Sequence, residues 1–255
     1  MINNEILVIP DVHAEPGVST EHLVWASKLA LKRQPQTIIF LGDFADMGSL
    51  CSYDKGSVAA EGRRLVDDIE ACKDAVNDFM APIWEYNAHK TKNAYKPLIV
   101  LTEGNHEYRL RRYGQVNPEF HGHTCIDLLG YKDAGWKVIP FNKPYRSNGI
   151  LFQHHFSSGV MGKAIGCKYH AGALLRVNME SSVCAHSHLF DMHVQTSGSG
   201  KRMIGLVAGC YFRHNHEWTG ENQRYWRGLV YLRDVKAGSF WPELLSMDYL
   251  ERRFG

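Results

Sequence analysis

Three short apolar runs lie in the first hundred residues, and none of them alternates with polar positions. They are Ile6 to Ile9, Ile38 to Leu41 and Leu98 to Leu101. Such runs are typical of strands that are buried on both faces of a parallel sheet. Between the first two runs, Thr20 to Lys32 carries apolar residues at helical spacing, with Ser19 or Thr20 as the candidate N-cap. The pattern therefore predicts a strand, a helix and a second strand at the start of the chain.

The longest periodic stretch, residues 58 to 89, lies between the second and third runs. Its apolar positions recur at steps of three and four: Leu65, Ile69, Cys72, Val76, Phe79 and Ile83. This spacing predicts a long amphipathic helix. The following stretch, Glu107 to Ser147, mixes Arg, Tyr, Gly, Asn and Pro. We interpret residues 108–147 as a loop-rich excursion with room for a brief helix, and as a candidate lip over a functional site.

The second half contains shorter strand-like runs that lie closer together along the chain. They are Ile150 to Gln153, Ser182 to Ala185, Met203 to Ala208 and Gly228 to Arg233. These runs predict a second sheet, and Ser197 to Lys201 has the Gly/Ser composition of a hairpin or flexible loop. The whole pattern predicts one α/β domain over residues 1–255, built from two packed β-sheets flanked by helices.

Composition narrows the class of protein. Lys plus Arg total 29 against 27 for Asp plus Glu, which gives a formal net charge of +2. A chain this close to neutral does not attract polyanions in bulk, so any phosphate binding must be local. The sequence shows no basic leader before an apolar stretch, no run of about 18 apolar residues, and no Cys-x-x-Cys pair among its six cysteines. We therefore expect a cytoplasmic protein with reduced thiols and no membrane partner.

Five of the predicted strands are followed immediately by residues of types that can bind metals. Open α/β sheets gather their sites at these strand ends. The segments are Asp11-Val12-His13, Gly42-Asp43-Phe44-Ala45-Asp46, Gly104-Asn105-His106-Glu107, His154-His155 and His186-Ser187-His188. Gly42 permits a tight turn before Asp43, and Asn105 offers a carbonyl oxygen beside a histidine. A single loop histidine more often bonds to a backbone carbonyl than to a metal. Five such segments in this order predict a metal centre.

In their order and context these segments resemble the signature of the calcineurin-like metallophosphoesterase family, which reads D-x-H, G-D-x-x-D, G-N-H-[DE], a later H, and G-H-x-H. The resemblance implies a four-layer α-β-β-α sandwich that hydrolyses phosphoesters. The chain departs from the signature at Ala185, where the last motif usually has glycine, and at His155, where a glycine commonly follows the ligand. The second departure leaves open whether His154 or His155 binds. We favour His154, because it comes first after the apolar run and strand alternation lets only one of the two face the ions.

Carried over residue by residue, the resemblance implies two divalent ions that share Asp43. The first ion is held by Asp11, His13, Asp43 and His188, and the second by Asp43, Asn105, His154 and His186. Oxygen and imidazole donors without thiolate suit manganese, which we expect first, and also iron, zinc or nickel. The resemblance further implies that a hydroxide shared by the ions attacks phosphorus and that His106 protonates the leaving alkoxide.

Other residues near these motifs have a structural and a functional interpretation. Arg109 is a candidate phosphate clamp, binding substrate beside Asn105 and His106, or else half of an ordinary ion pair. A structural role is favoured for three residues: Asp46 in its turn, Glu107 as the cap of a helix that starts at Tyr108, and Cys184 in buried packing. The clusters His121/His123 and His214/His216/Glu217 do not follow the signature, so surface positions are the default and lining of the pocket is the alternative.

The substrate stays open among nucleotides, nucleic acids, phosphoproteins and phospholipids, which proteins of this resemblance hydrolyse. Residues 108–147 and Tyr211 to Arg227 combine arginine with aromatic residues, which can hold phosphates and stack bases. Gly42 to Lys55 also resembles the corresponding stretch of small bacteriophage phosphoesterases. We therefore expect a phosphodiesterase on nucleotide or nucleic-acid substrates. The alternatives are a nucleotide or protein phosphomonoesterase, and a non-catalytic scaffold that binds metal or nucleic acid.

Overall fold

The chain folds into two sheets that pack face to face, with helices on their outer faces. The computed structural model describes residues 4–215 and 222–255. The helices in these ranges are α1 (Glu21–Arg33), α2 (Leu65–Ala88), α3 (Asn105–Val116), α4 (His170–Asn178) and α5 (Met247–Phe254). Helices α1, α2 and α5 pack on one sheet and α4 packs on the other, so the layers run helix, sheet, sheet, helix.

The first sheet contains the three apolar runs that begin the chain. Its strands are β1 (Ile6–Ile9), β2 (Thr37–Phe40), β3 (Leu98–Thr102), β4 (Lys137–Ile139), β12 (Gly228–Lys236) and β13 (Ser239–Ser246). They lie in the order β13-β12-β1-β2-β3-β4. Strands β1 to β4 are parallel, whereas β12 is antiparallel to both β1 and β13. Because β1, β2 and β3 are parallel and adjacent, the loops that follow them emerge at one edge of the sheet.

The second sheet has five strands. They are β5 (Tyr145–Ser147), β6 (Ile150–Phe152), β9 (Ser181–Cys184), β10 (Phe190–Thr196) and β11 (Arg202–Ala208), in the order β10-β11-β9-β6-β5. Strands β6, β9 and β11 are parallel, and β5 and β10 pair antiparallel at the edges. A separate small hairpin joins β7 (Ser157–Ser158) to β8 (Lys163–Ala164).

Alternate residues of the central strands build two different cores. Ile6 and Val8 of β1 pack between the sheets in one buried cluster with Phe152 and Val183 of the second sheet. Their neighbour Leu7 packs on the opposite face with the helices. Side chains of a strand point alternately to its two faces, and each large apolar side chain that is fully buried contributes roughly 1.5–3 kcal/mol. Burial on both faces therefore fixes the strands whose ends carry the candidate site.

The predicted fold class is confirmed, and the strands at 6–9, 37–40 and 98–102 match the three apolar runs. One assignment is wrong: residues 228–233, predicted for the second sheet, form β12 in the first sheet, where Leu232 pairs with Ile6. A local pattern indicates that a strand exists but does not tell which strand it pairs with. The loop at Ser197 to Lys201 is the predicted hairpin, since the Ser197 N–H donates to the Lys201 carbonyl at 2.9 Å.

Helix boundaries differ more than strand boundaries. Helix α2 begins at Leu65, and residues 58–60 form only a 3-10 turn. Thr20 is the N-cap of α1, but its hydroxyl donates to the Asp78 carboxylate of α2 at 2.5 Å and caps no backbone N–H. The excursion at 108–147 holds most of the 12-residue α3 and adds an edge strand to each sheet. Within the described ranges, the chain has no helix both long and apolar enough to cross a lipid bilayer.

Candidate metal centre

Every segment of the predicted metal centre lies where a strand ends. The loops are those after β1 (Asp11, His13), β2 (Asp43), β3 (Asn105, His106), β6 (His154) and β9 (His186, His188). Loops of the two sheets meet directly, because His154 Nδ1 lies 2.7 Å from the Leu41 carbonyl oxygen. The fold therefore brings all of the predicted ligands into one place.

Five of these residues have a left-handed backbone conformation that non-glycine residues rarely adopt. They are Asp11 (φ 22°), His13 (φ 47°), Asp43 (φ 46°), His186 (φ 67°) and His188 (φ 58°). Each such residue costs about 1–3 kcal/mol unless its surroundings hold it. Here the N–H groups of Val12 and His13 donate to the Asp43 carbonyl at 3.0 and 2.9 Å, and the His186 N–H donates to Asp11 Oδ2 at 2.9 Å. Backbone strain that falls on one group of polar residues is typical of a functional site.

One group of donor atoms comprises Asp11, His13 and His188, whose donor atoms lie within 4.8 Å of one another. His188 Nε2 is 3.2 Å from Asp11 Oδ2. All three side chains are buried, and Asp11 Oδ1 accepts no hydrogen bond, although His154 Nδ1 lies 3.4 Å away. A buried carboxylate oxygen without a donor is costly, so its presence indicates that something else satisfies it.

A second group surrounds the His154 imidazole. His154 Nε2 lies 2.9 Å from Asn105 Oδ1, 3.1 Å from His186 Nδ1 and 3.1 Å from Asp43 Oδ2. The same Asp43 oxygen lies 3.9 Å from His13 Nε2 of the first group. One carboxylate oxygen therefore stands between the two groups, at the position predicted for a shared ligand.

The charges in this place favour a cation. Burial alone would raise the pKa of the Asp11 carboxyl, but His154 and His188 hold that pKa well below its usual range. Burial opposes the same effect at Asp43, and His154 again lowers the pKa of that carboxyl. For His186, burial and then His154 lower the pKa to about 3, so its imidazole is neutral. Burial would lower the pKa of the His154 imidazole, but Asp43 and Asp11 raise it, so these two carboxylates stabilise a positive charge beside them. The donor set is thus a buried pair of carboxylates, the His154 ring and the neutral His186 ring, with no thiolate. These donors fit two divalent ions.

His106 lies beside these groups and is tied to Asp46. Its Nδ1 is 2.7 Å from the Asp46 carbonyl oxygen and 3.1 Å from Asp46 Oδ1, and its backbone N–H donates to Asp43 Oδ1 at 2.9 Å. Burial would lower the pKa of this imidazole, but Asp43 and then Asp46 raise it. Asp46 Oδ1 also contacts His13 Nδ1 at 2.9 Å. Asp46 thus holds two imidazoles, which goes beyond the turn-stabilising role that the sequence favours. The sequence contains one signal for this role, because Asp46 follows Asp43 by three residues.

Glu107 holds the loop that carries Asp43. Its carboxylate accepts hydrogen bonds from the N–H groups of Asp43 (3.0 Å), Phe44 (2.5 Å), Ala45 (3.0 Å) and Gly104 (2.9 Å). The Gly104 bond is the predicted helix cap, although α3 begins at Asn105 rather than at Tyr108. A Cβ at residue 104 would overlap the Asp43 carboxylate and backbone, so this close approach requires glycine.

Arg109 points back over the same loop. Its guanidinium donates to the carbonyl oxygens of Asp46 (2.9 Å) and Met47 (3.2 Å), and one terminal nitrogen lies 3.3 Å from His106 Nε2. The ion-pair interpretation of Arg109 is replaced by this backbone anchor. The anchor leaves the guanidinium beside the imidazole that faces the site.

The residues outside the signature separate into two kinds. His121 and His123 are exposed, whereas His214 lies near the site: its Nε2 is 3.4 Å from Glu15 Oε1 and its ring packs on Phe212, 4.6 Å between centroids. Phe212 in turn packs against His13 at 5.1 Å. His216 and Glu217 lie outside the described residues. Cys184 is buried with its sulfur 3.8 Å from His170 Nε2, as expected for a packing residue.

The fold and these grouped donors define a phosphoesterase. A family model described as calcineurin-like phosphoesterase matches residues 5–190, a range that includes every predicted ligand. The chain belongs to this family and is a metal-dependent hydrolase that acts on phosphoesters. The family implies two divalent ions.

Two solved structures resemble the chain only weakly. A conserved uncharacterised protein from Streptococcus pneumoniae, a predicted phosphoesterase, is 12% identical with a TM-score of 0.40, over 97% of this chain and 92% of that one. A dimetal phosphatase from Danio rerio is 11% identical with a TM-score of 0.45, over 95% of this chain and 96% of that one. No curated protein matches the sequence. Likenesses at this level say nothing about the substrate.

Proposed function

We propose that the protein is a binuclear phosphodiesterase acting on nucleotide or nucleic-acid substrates. The first ion is assigned to Asp11, His13, Asp43 and His188, and the second to Asp43, Asn105, His154 and His186. The observation that carries this assignment is the Asp43 carboxylate oxygen, 3.1 Å from His154 Nε2 in one donor group and 3.9 Å from His13 Nε2 in the other. A carboxylate in that position can serve both ions.

When bound, two such ions would supply a water-derived nucleophile at neutral pH and would neutralise charge on the phosphoryl group. The chain's own residues then supply the proton. His106 is the proposed general acid, because its ring lies at the edge of the donor groups and is held through Nδ1 by Asp46. This leaves Nε2 to donate a proton to the departing oxygen. Arg109, whose guanidinium is fixed 3.3 Å from that nitrogen, is the proposed contact for a phosphate oxygen.

Aromatic residues on two sides of the site support a diester substrate with bases. On the side of α3, Tyr108 stacks on Phe141 with 4.6 Å between ring centroids, and both rings are partly exposed. On the other side, Tyr225 contacts His188 at 4.6 Å, and the Arg227 guanidinium lies 5.4 Å from the Tyr225 ring. Stacking on such rings contributes about 1–3 kcal/mol per base and tolerates different sequences. A phosphomonoester carries one organic group on phosphorus and would contact only one of these two sides. Monoesterase activity is the second candidate.

The test is a substrate screen with apoprotein reloaded with manganese, iron, zinc or nickel. Its substrates are a bis-aryl phosphate, an aryl monophosphate, cyclic nucleotides, and single- and double-stranded nucleic acids. The proposal predicts turnover of the diesters, with the nucleic acids or nucleotides preferred. Turnover confined to the monophosphate would replace it with the phosphomonoesterase alternative.

A matched pair of variants tests the shared ligand. Asp43→Asn should remove most of the activity and at least one bound ion, whereas Asp127→Asn, on an exposed side chain paired with Lys132, should change neither. Two ions per chain with near-normal turnover in Asp43→Asn would contradict the assignment.

A further inference from the structure

His155 immediately follows the proposed ligand His154 and is buried like the residues around it. Strand β6 ends at Phe152, and the next four residues, Gln153 to Phe156, are all buried, with His155 only 7% exposed. In a strand, successive side chains would point to opposite faces. That alternation no longer applies after Phe152, so both histidines can face the same side. The sequence-based expectation that only one of them approaches the ions therefore loses its premise.

The surroundings of His155 are those of a donor group. One ring nitrogen each of His154, His155 and His186 lies within 4.8 Å of the other two. The ring centroids of His155 and His186 are 5.1 Å apart. Nδ1 of His155 is buried and has no hydrogen-bond partner. A buried histidine with a purely structural role normally satisfies its ring nitrogens, because an unsatisfied one costs about 1–3 kcal/mol.

A rigid support fixes the outer side of the His155 ring. Phe141 packs against it with 5.4 Å between centroids. The Phe141 N–H donates to Glu103 Oε2 at 2.9 Å, and the same carboxylate accepts from Arg111 of α3 at 3.2 Å. The loop that carries Phe141 is thus tied to α3, and the imidazole is held against the other two histidines.

We propose, on the basis of the ligand sets assigned above, that His155 is an additional imidazole donor to the second ion. The second site then offers three imidazoles, one amide oxygen and one carboxylate, whereas the first offers two imidazoles and two carboxylates. Imidazole donors suit zinc, nickel, cobalt and iron better than ions that prefer oxygen. The two sites therefore differ in kind, and the second selects a nitrogen-preferring ion.

Metal-binding measurements on full-length apoprotein test this. Affinities for Zn²⁺, Co²⁺ and Mn²⁺ are measured by chelator competition for the wild type, for His155→Gly and His155→Gln, and for His121→Gln as the exposed control. Both His155 variants should bind the second Zn²⁺ or Co²⁺ at least tenfold more weakly, with a smaller loss for Mn²⁺ and an unchanged first ion. The control should match the wild type. An unchanged second affinity would overturn the proposal.

A measurement on the unmutated protein distinguishes metal ligation by His155 from mere support of the site. Its result does not depend on whether a variant folds. In the Co²⁺-loaded wild type, each ligating imidazole that keeps its N–H gives a paramagnetically shifted N–H resonance in the proton NMR spectrum. Five such resonances are expected, from His13, His154, His155, His186 and His188. Four would overturn the role of His155 while leaving the two-ion centre intact. Fewer than two Co²⁺ per chain would instead refute the proposed function on which this inference rests.

Discussion

At the scale of single residues, the proposed role of His106 as proton donor rests on how its two ring nitrogens are placed. Its Nδ1 is held by Asp46, and its Nε2 is the nitrogen nearer to Arg109. The G-N-H-E segment predicts that a histidine lies beside the metals. The link to Asp46 could not be predicted, because it joins residues 60 positions apart whose contact exists only after both loops are folded.

His106→Asn should keep both ions and lose on the order of a hundredfold or more in rate on a diester with a poor leaving group. The loss should shrink sharply on a nitrophenyl ester, because nitrophenolate is stable without a proton. Parallel rates on the two esters measure this difference, with His121→Asn as the control. Equal losses on both esters would remove His106 from the role of acid.

At the scale of elements, the site depends on how α3 is joined to the loop after β2. Glu107 accepts hydrogen bonds from backbone N–H groups of that loop and of the N-cap of α3. One carboxylate therefore sets the position of Asp43 relative to Asn105 and His106. The sequence predicts that Glu107 caps a helix, but it does not predict the additional hydrogen bonds to the loop after β2. Three of the N–H groups that donate to this carboxylate belong to residues 62 to 64 positions away in the sequence. A local sequence pattern cannot predict contacts over that distance.

Glu107→Gln should lower the free energy of unfolding by about 2 kcal/mol, since an amide offers one acceptor oxygen where the carboxylate offers two. It should also weaken metal binding by tenfold or more, because the Asp43 loop loses its support. Denaturant unfolding and chelator competition measure the two effects. Glu119→Gln, on an exposed residue, should show neither, and a Glu107→Gln protein with unchanged metal affinity would refute the positioning role.

Elements that are buried on both faces were the most predictable from sequence. The central strands β1, β2 and β3 are buried on both faces, so their apolar runs give their positions almost to the residue. Strand β12 was assigned to the wrong sheet, because its pairing with β1 joins residues more than 220 positions apart, such as Ile6 and Leu232. Short elements such as the edge strand β13 and the helix α5 were not predicted, because each spans only 8 residues.

At the scale of the whole molecule, two sheets bring together residues from opposite halves of the chain. Asp11, Asp43 and Asn105 come from the first sheet and His154, His186 and His188 from the second. Because these residues come together only in the folded chain, the proposed ions would link metal affinity to global stability. That residues 1–255 form one domain with residues 108–147 lining the site stays a prediction.

Excess divalent metal should therefore raise the thermal midpoint of the apoprotein. Metal at a hundred times its dissociation constant stabilises a one-site protein by about 2.7 kcal/mol, which corresponds to roughly 5–10 °C for a chain of this size. Thermal unfolding with and without chelator measures the shift. Asp43→Asn should show less than half of it, and an equal shift in that variant would indicate metal binding elsewhere.

Two ions are proposed to share Asp43 at the junction of the two sheets. Anomalous diffraction from crystals of the manganese- or zinc-loaded protein tests this proposal most directly. Two anomalous peaks about 3.5 to 4 Å apart are expected, with Asp43 within ligand distance of both and His154 within about 2.3 Å of one. A single peak, or two peaks that do not share Asp43, would contradict it.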